Sequence, residues 1–215
     1  MCRMDDTRPV ESDPDAALRD SLAEAMASEA AFSGWSAAAL RLAAQQTDAA
    51  ADAERLFPGG PVDVLAYLSQ RADQRTVEAL EKTGVMSLRI RERIKLAVRL
   101  RIENTVGGKE SVRRGLAMLA LPFNGPLALR LLYRTVDAIW YAVGDTSTDF
   151  NFYTKRATLA GVFSSTLLYW LNDRSEGNEA TWSFLDRRID DVMRFEKWKA
   201  NLRAWPGSHR RTMHR

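Results

Sequence analysis

Histidine is missing from the body of this chain: both copies, His209 and His214, fall in the last seven of 215 residues. That takes away the side chain needed for a His-based zinc site, a Ser-His-Asp triad and the Glu-x-x-His signature of a di-iron bundle. Cysteine is as scarce. The one thiol, Cys2, stands at the terminus, so there is no disulfide framework and the chain suits a reducing compartment. Long uncharged runs are also missing. The longest, Ala157 to Asn172, at ~1.5 Å per helical residue falls short of a ~30 Å hydrocarbon core and reads as a buried helix. No secretory signal opens the chain, because charged residues, Pro9 and Pro14 precede any apolar run. Alternating Val, Ile and Thr are sparse, and no internal repeat is visible.

What remains is ordinary for a soluble helical protein: 46% hydrophobic and 27% charged residues, rich in Ala and Leu. Charge is unevenly placed. Residues 1–85 hold 8 Lys/Arg against 15 Asp/Glu, and residues 86–215 hold 23 against 13, so the formal +3 hides an acidic front and a basic back. The pattern divides into a disordered leader (1–14), a helix-turn-helix-like subdomain (15–60), a larger helical domain (61–205) and a basic tail (206–215).

Apolar spacing predicts nine helices. Leu18, Leu22 and Met26 mark the first, which breaks at Ser33-Gly34. Ser36 is placed to cap the second. The third is expected over Asp48 to Leu56, ended by Pro58-Gly59-Gly60, and the fourth from Pro61 to Gly84. Ser87 is expected to cap a fifth, whose polar positions, from Arg89 through Arg91, Arg93, Lys95, Arg99 and Arg101, read as a solvated face or a surface for anionic headgroups. A sixth spans Lys109 to Leu121. The seventh, Gly125 to Val143, carries only Arg130, Arg134 and Asp137 as charges, one narrow stripe on an apolar cylinder. The eighth covers Asp149 to Leu171. The ninth, Glu179 to Arg203, sets Trp182, Leu185, Ile189 and Val192 at near-heptad spacing.

The stretch from Val136 to Thr158 is the most telling. Gly144 can close one helix in the left-handed conformation, Thr148 can cap the next, and Asp149 suits its first turn. Trp140, Tyr141, Phe150, Phe152 and Tyr153 crowd this turn. Phe152 and Tyr153 point about 100° apart on a helix, so at least one is expected outside the core or at an interface. The acid pairs Asp190-Asp191 and Asp145/Asp149 do not make catalytic dyads: the first diverges on its helix, and the second sits in a capping turn. The expected third helix, with three acids and one base, makes a poor partner for a polyanion, so no nucleic acid is expected. The apolar seventh and eighth helices fit a filled core, the commoner case, or the walls of a cavity, and sequence alone does not separate the two.

These residues carry a resemblance. Gly144-Asp145, Ser147-Thr148-Asp149-Phe150-Asn151 and Tyr153-Thr154-Lys155-Arg156-Ala157 resemble the lipid-binding accessory proteins of coenzyme Q (ubiquinone) biosynthesis, which have a TetR-like fold. Val136-Asp137, Trp140, Thr181-Trp182, Phe184-Leu185, Leu119, Leu121-Pro122, Asn124 and Gly34-Trp35-Ser36 fit the same family. The resemblance runs over about residues 18–195. It implies an all-α TetR-like fold with a helix-turn-helix remnant, a homodimer, no cofactor and no chemistry of its own. It also implies an isoprenoid lipid or quinone intermediate in the second domain, presented to the pathway's di-iron hydroxylase.

Carried over, the patch that meets the hydroxylase falls on Asp137, Ile139, Asp149, Phe152 and Tyr153. Phe152 stands where the eukaryotic pattern has Trp, which keeps a ring and loses a donor. The lipid walls are expected at Leu116, Leu119, Leu127, Leu131, Leu132, Val136, Trp140, Leu159, Val162, Phe163 and Leu167. Eukaryotic members continue into an amphipathic membrane helix. Here membrane contact is expected at the end of the ninth helix or another surface, and the protein is expected in the cytoplasm or peripherally at the membrane's inner face. The alternatives left open are a TetR-type regulator sensing an apolar ligand, and a scaffold without lipid.

Overall fold

The computed structural model describes residues 14–145 and 150–204, with only the backbone of Pro14, Phe150, Asn151 and residues 195–204. The expected leader up to residue 13 and the whole of the basic tail, with both histidines, lie outside the described residues. Among these residues the chain is all α. The helices are α1 (Pro14–Ser33), α2 (Ala37–Gln46), α3 (Ala53–Leu56), α4 (Pro61–Lys82), α5 (Ile90–Glu103), α6 (Gly108–Leu119), α7 (Gly125–Ala142), α8 (Phe150–Asn172) and α9 (Glu179–Ala204).

The chain forms two compact units, divided between Ser147 and Thr148. The helix-turn-helix-like segment packs inside the first unit, where α1 lies against α2, α4 and α6. Residue 60 is therefore not a break in packing. Leu22 and Met26 of α1, Leu40 of α2, Leu56, Phe57 and Val64 form one apolar cluster in this unit. Burying each such side chain stabilises by about 1.5–3 kcal/mol. The α1–α6 crossing is close: a Cβ on Gly107, at φ +82°, would stand 2.7 Å from the Ala27 carbonyl oxygen. The rest of the unit is built on α4, which packs against both α5 and α7.

Local chemistry explains where the helices begin and end. Ser36 adopts extended backbone and its Oγ accepts from the Ala39 N–H at 3.2 Å, as its position suggests. The third helix is shorter than its spacing predicts. Asp48 takes φ +55°, and Thr47 donates its hydroxyl to the Ala43 carbonyl at 2.9 Å. The chain thus turns through residues 48–52, and only four helical residues follow. Ser87 does not cap α5. It ends a 3-10 turn (Val85–Ser87) and donates to the Gly84 carbonyl at 3.0 Å, and α5 starts later, at Ile90.

The basic face of α5 is not uniformly solvated. Arg101 is 7% exposed, inside the first unit. Its Nε donates to Asp73 Oδ1 of α4 at 2.6 Å, and its Nη2 donates to Ser69 Oγ at 3.1 Å. Thr135 of α7 donates to the same Asp73 oxygen at 2.8 Å. Three helices are pinned by one buried ion pair, which fixes register better than it adds stability.

The second unit pairs α8 with α9. Thr181, Leu185 and Ile189 recur every four residues on the buried side of α9. Tyr169 stacks on Phe184 with centroids 4.5 Å apart. Asp173 holds the connection: its carboxylate accepts from the Ser175 and Thr181 N–H groups at 2.8 Å each, and from both hydroxyls. Those bonds keep its pKa well below the usual carboxylate value.

Candidate functional site

The expected lipid walls lie in both units. On α7, Leu131, Val136 and Trp140 are buried, in rows with Thr135 and Ile139. Leu127 and Leu132 on α7, and Leu116 and Leu119 on α6, are half-buried. These apolar positions fall on α6 and on one broad face of α7, and α6 and α7 pack together. On α8, Leu159, Val162 and Phe163 are buried and Leu167 is half-buried. They follow a row that continues through Thr166 and Trp170, spaced by three and four as one helix face requires.

The expected partner patch needs one correction. Ile139 is 2% exposed and belongs to the buried row of α7. The reason is geometric: two positions along a helix turn about 200°, so Ile139 cannot share a face with Asp137. Asp137 is half-buried. The outer face of α7 instead presents Leu129, Tyr133 and Tyr141, at 69%, 49% and 78% exposure. Asp149 and Thr148, the expected cap, lie outside the described residues, as do residues 146 and 147.

On α8, Tyr153 is 70% exposed while Phe152 is half-buried. Their rings meet edge to face with centroids 5.2 Å apart. One turn on, the Arg156 guanidinium lies 3.3 Å from the Phe152 ring centre. A cation on that face screens the ring from water and leaves Tyr153 as the outward aromatic. Such a pair presents apolar area with a polar tip, which suits recognition better than chemistry.

Two arginines read from sequence as solvated have other work. Besides Arg101, Arg93 of α5 gathers three carbonyls: Met86 at 2.6 Å, Leu88 at 2.8 Å and Val143 at 3.0 Å. The last is the C-cap residue of α7. Arg93 thus satisfies an end carbonyl that the helix cannot bond itself and complements its dipole. Next to it, Gly144 has φ +85°, the left-handed geometry its position calls for. Among the described residues no three His, Cys, Asp or Glu side chains come together as a metal-ligand set. No single helix there is long and apolar enough to cross a membrane.

An all-helical chain with a short helix-turn-helix segment, a long α4 and helices α5 to α9 following it has a TetR-like fold. A TetR transcriptional regulator from Nitrosomonas europaea ATCC 19718 has the same fold, with a TM-score of 0.68 over 81% of this chain and 97% of that one, at 22% identity. Residues 125–196, which span α7, α8 and much of α9, match the COQ9 family model. The chain belongs to the COQ9 family.

It is 37% identical over 167 residues to the mitochondrial ubiquinone biosynthesis protein COQ9 of Xenopus tropicalis, covering 74% of this chain and 53% of that one. The Homo sapiens protein of the same name is 34% identical over 167 residues, covering 74% and 52%. That of Drosophila melanogaster is 30% identical over 184 residues, covering 84% and 56%. The chain therefore spans about half the length of these relatives.

Proposed function

We propose that this chain is a non-enzymatic accessory factor in ubiquinone biosynthesis, acting as a homodimer that binds an isoprenoid lipid or quinone intermediate and presents it to the pathway's di-iron hydroxylase. The observation that carries the reading is the match to relatives named for ubiquinone biosynthesis, over a stretch that includes the apolar rows of α7 and α8.

The physical task is solubility. Each exposed methylene-sized group costs about 0.8 kcal/mol in water, so each five-carbon prenyl unit costs several kcal/mol. A protein that surrounds the tail offsets part of that cost and keeps the polar ring within reach of a second protein. Leu116, Leu119, Leu127, Leu131, Leu132, Val136 and Trp140 are the apolar side chains that the first unit offers such a tail, and Leu159, Val162, Phe163 and Leu167 are those that the second offers. Tyr153, with Phe152, Asp137 and Asp149, supplies the contact for the hydroxylase.

A DNA-binding role is disfavoured by α3. A recognition helix needs length in the major groove and free cations for phosphates. Here four residues are helical, and their one base, Arg55, is engaged by Asp15 and Asp52.

The test is native mass spectrometry of the full chain as purified, with organic extraction of the same sample. A co-purifying isoprenoid or quinone supports the reading. A ligand-free chain that takes up no added polyprenyl quinone overturns it.

A further inference from the structure

The corner between α6 and α7 exposes a run of large apolar side chains in the first unit. Within residues 121–133, Leu121 is 43% exposed, Phe123 77%, Leu129 69% and Tyr133 49%. Large side chains exposed singly are ordinary, but four along one corner are not. The corner is built and held. Pro122–Asn124 forms a 3-10 turn, and the buried Asn124 donates its side-chain amide to the Met118 carbonyl at 2.9 Å. The two helices bend there by 94°, and together they reach the length and mean hydropathy of a membrane-spanning stretch, which neither reaches alone.

Within the corner's own stretch the charge has one sign, with Glu110 and Asp137 at its two ends. From residue 111 to residue 136 there is no Asp or Glu and there are four arginines. Arg113 and Arg114 are paired with Glu110. Arg130 and Arg134 are exposed, and neither makes an ion pair among the described residues. They stand one turn apart, on a row adjacent to that of Leu129 and Tyr133.

We infer that the α6–α7 corner docks the protein on an anionic lipid bilayer, with Phe123 and Leu129 entering the acyl boundary and Arg130 and Arg134 on the headgroup phosphates. This does not rest on the function proposed above. Long cationic side chains reach from a shallow apolar insertion back to the headgroups, and tyrosine favours the same interface. A second copy of the chain fits this surface poorly, because a two-fold contact would bring the same arginines against each other.

The experiment is co-sedimentation of the full chain with vesicles of phosphatidylcholine alone and of phosphatidylcholine and phosphatidylglycerol in equal parts. The chain should bind the mixed vesicles more tightly, and salt should erode that preference. The pair Phe123→Ser/Leu129→Ser should lose about tenfold in vesicle affinity. The pair Arg130→Gln/Arg134→Gln, which leaves the apolar residues in place and guards against a folding defect in the first pair, should lose the preference for the anionic lipid. Phe32→Ser, at an exposed aromatic on α1, should change nothing. The inference fails if the full chain ignores the mixed vesicles, or if both pairs bind as it does. It also fails if either pair changes the mass in analytical ultracentrifugation, which would make the corner a contact between copies.

Discussion

Thr135 donates its hydroxyl proton to the Asp73 oxygen that Arg101 also grips, at 2.8 and 2.6 Å, although 62 residues separate Thr135 from Asp73. The bond joins α4 to α7 at a point where both are buried, with Thr135 2% exposed and Asp73 9%. Removing Arg101 would leave a carboxylate without its counter-charge inside the unit. Arg101→Met is therefore expected to cost about 3–5 kcal/mol, and Thr135→Val about 1–2 kcal/mol. Adding Asp73→Leu to Arg101→Met should restore much of the loss, since the stranded charge goes too. Urea unfolding of the three variants checks the order. If the double variant is no more stable than Arg101→Met, the pair contributes more than mutual neutralisation.

A half-buried pair gives a pH signature. Tyr67 Oη donates to Asp20 Oδ1 at 2.5 Å, and Arg71 Nε donates to the same oxygen at 2.9 Å. Burial first, then the bond to Asp20, pushes the Tyr67 hydroxyl from 10.0 up to about 12. A folded-state value raised in this way means that the contribution is whole below pH 10 and is lost as pH climbs towards about 12. For Asp20, burial acts upward but is outweighed by its bonds to Tyr67 and Arg71, so its value sits below 3.8. That contribution is present above the ordinary value and is lost as acid protonates the folded carboxylate. Tyr67→Phe should flatten the alkaline slope of melting temperature against pH. An unchanged slope would remove Tyr67 as its cause.

Tyr153 offers the sharpest test of the proposed partner surface. At 70% exposure it has little to do with folding. Tyr153→Lys should weaken binding to the di-iron hydroxylase by about tenfold, as loss of an aromatic anchor usually does, with the melting temperature unchanged. Equal binding by variant and parent would place the surface elsewhere.

Much of this architecture was legible in the sequence because it follows from short-range rules. Ser36 capped its helix as read, since three residues suffice to define a cap. Gly144 took φ +85° for the same reason. Ser87 failed because its hydroxyl had a nearer acceptor in Gly84, and a 3-10 turn intervened before α5. Arg101 failed for a different reason. On a sequence it repeats the spacing of solvated neighbours, and only the fold reveals that Asp73 is opposite. A sign was there: Asp73 follows Ala72 and precedes Thr76 on the apolar side of α4, and Thr135 interrupts an apolar row of α7. A polar residue inside an apolar row asks for a partner. Ile139 turns inward because two positions along α7 set it about 200° from Asp137, so a patch that includes Asp137 cannot include it.

The turn after α7 permits a test that separates two kinds of backbone penalty. A Cβ added at Gly144 would collide with Met86 Cε and come within 3.3 Å of its sulfur. Met86 is flexible and 55% exposed, so that collision can relax. The φ of +85° cannot, because Arg93 holds the Val143 carbonyl at 3.0 Å and fixes the end of the helix. Gly144→Ala is therefore expected to cost about 1–2 kcal/mol, the penalty of an L-residue in the left-handed region. The cost should persist in a Met86→Ala background. Gly144→Asn should cost less, because asparagine visits that region more readily. Denaturation of the four variants in a double-mutant cycle measures the coupling between positions 86 and 144. A cost that vanishes with Met86→Ala would assign the constraint to packing and leave backbone geometry with no part in it.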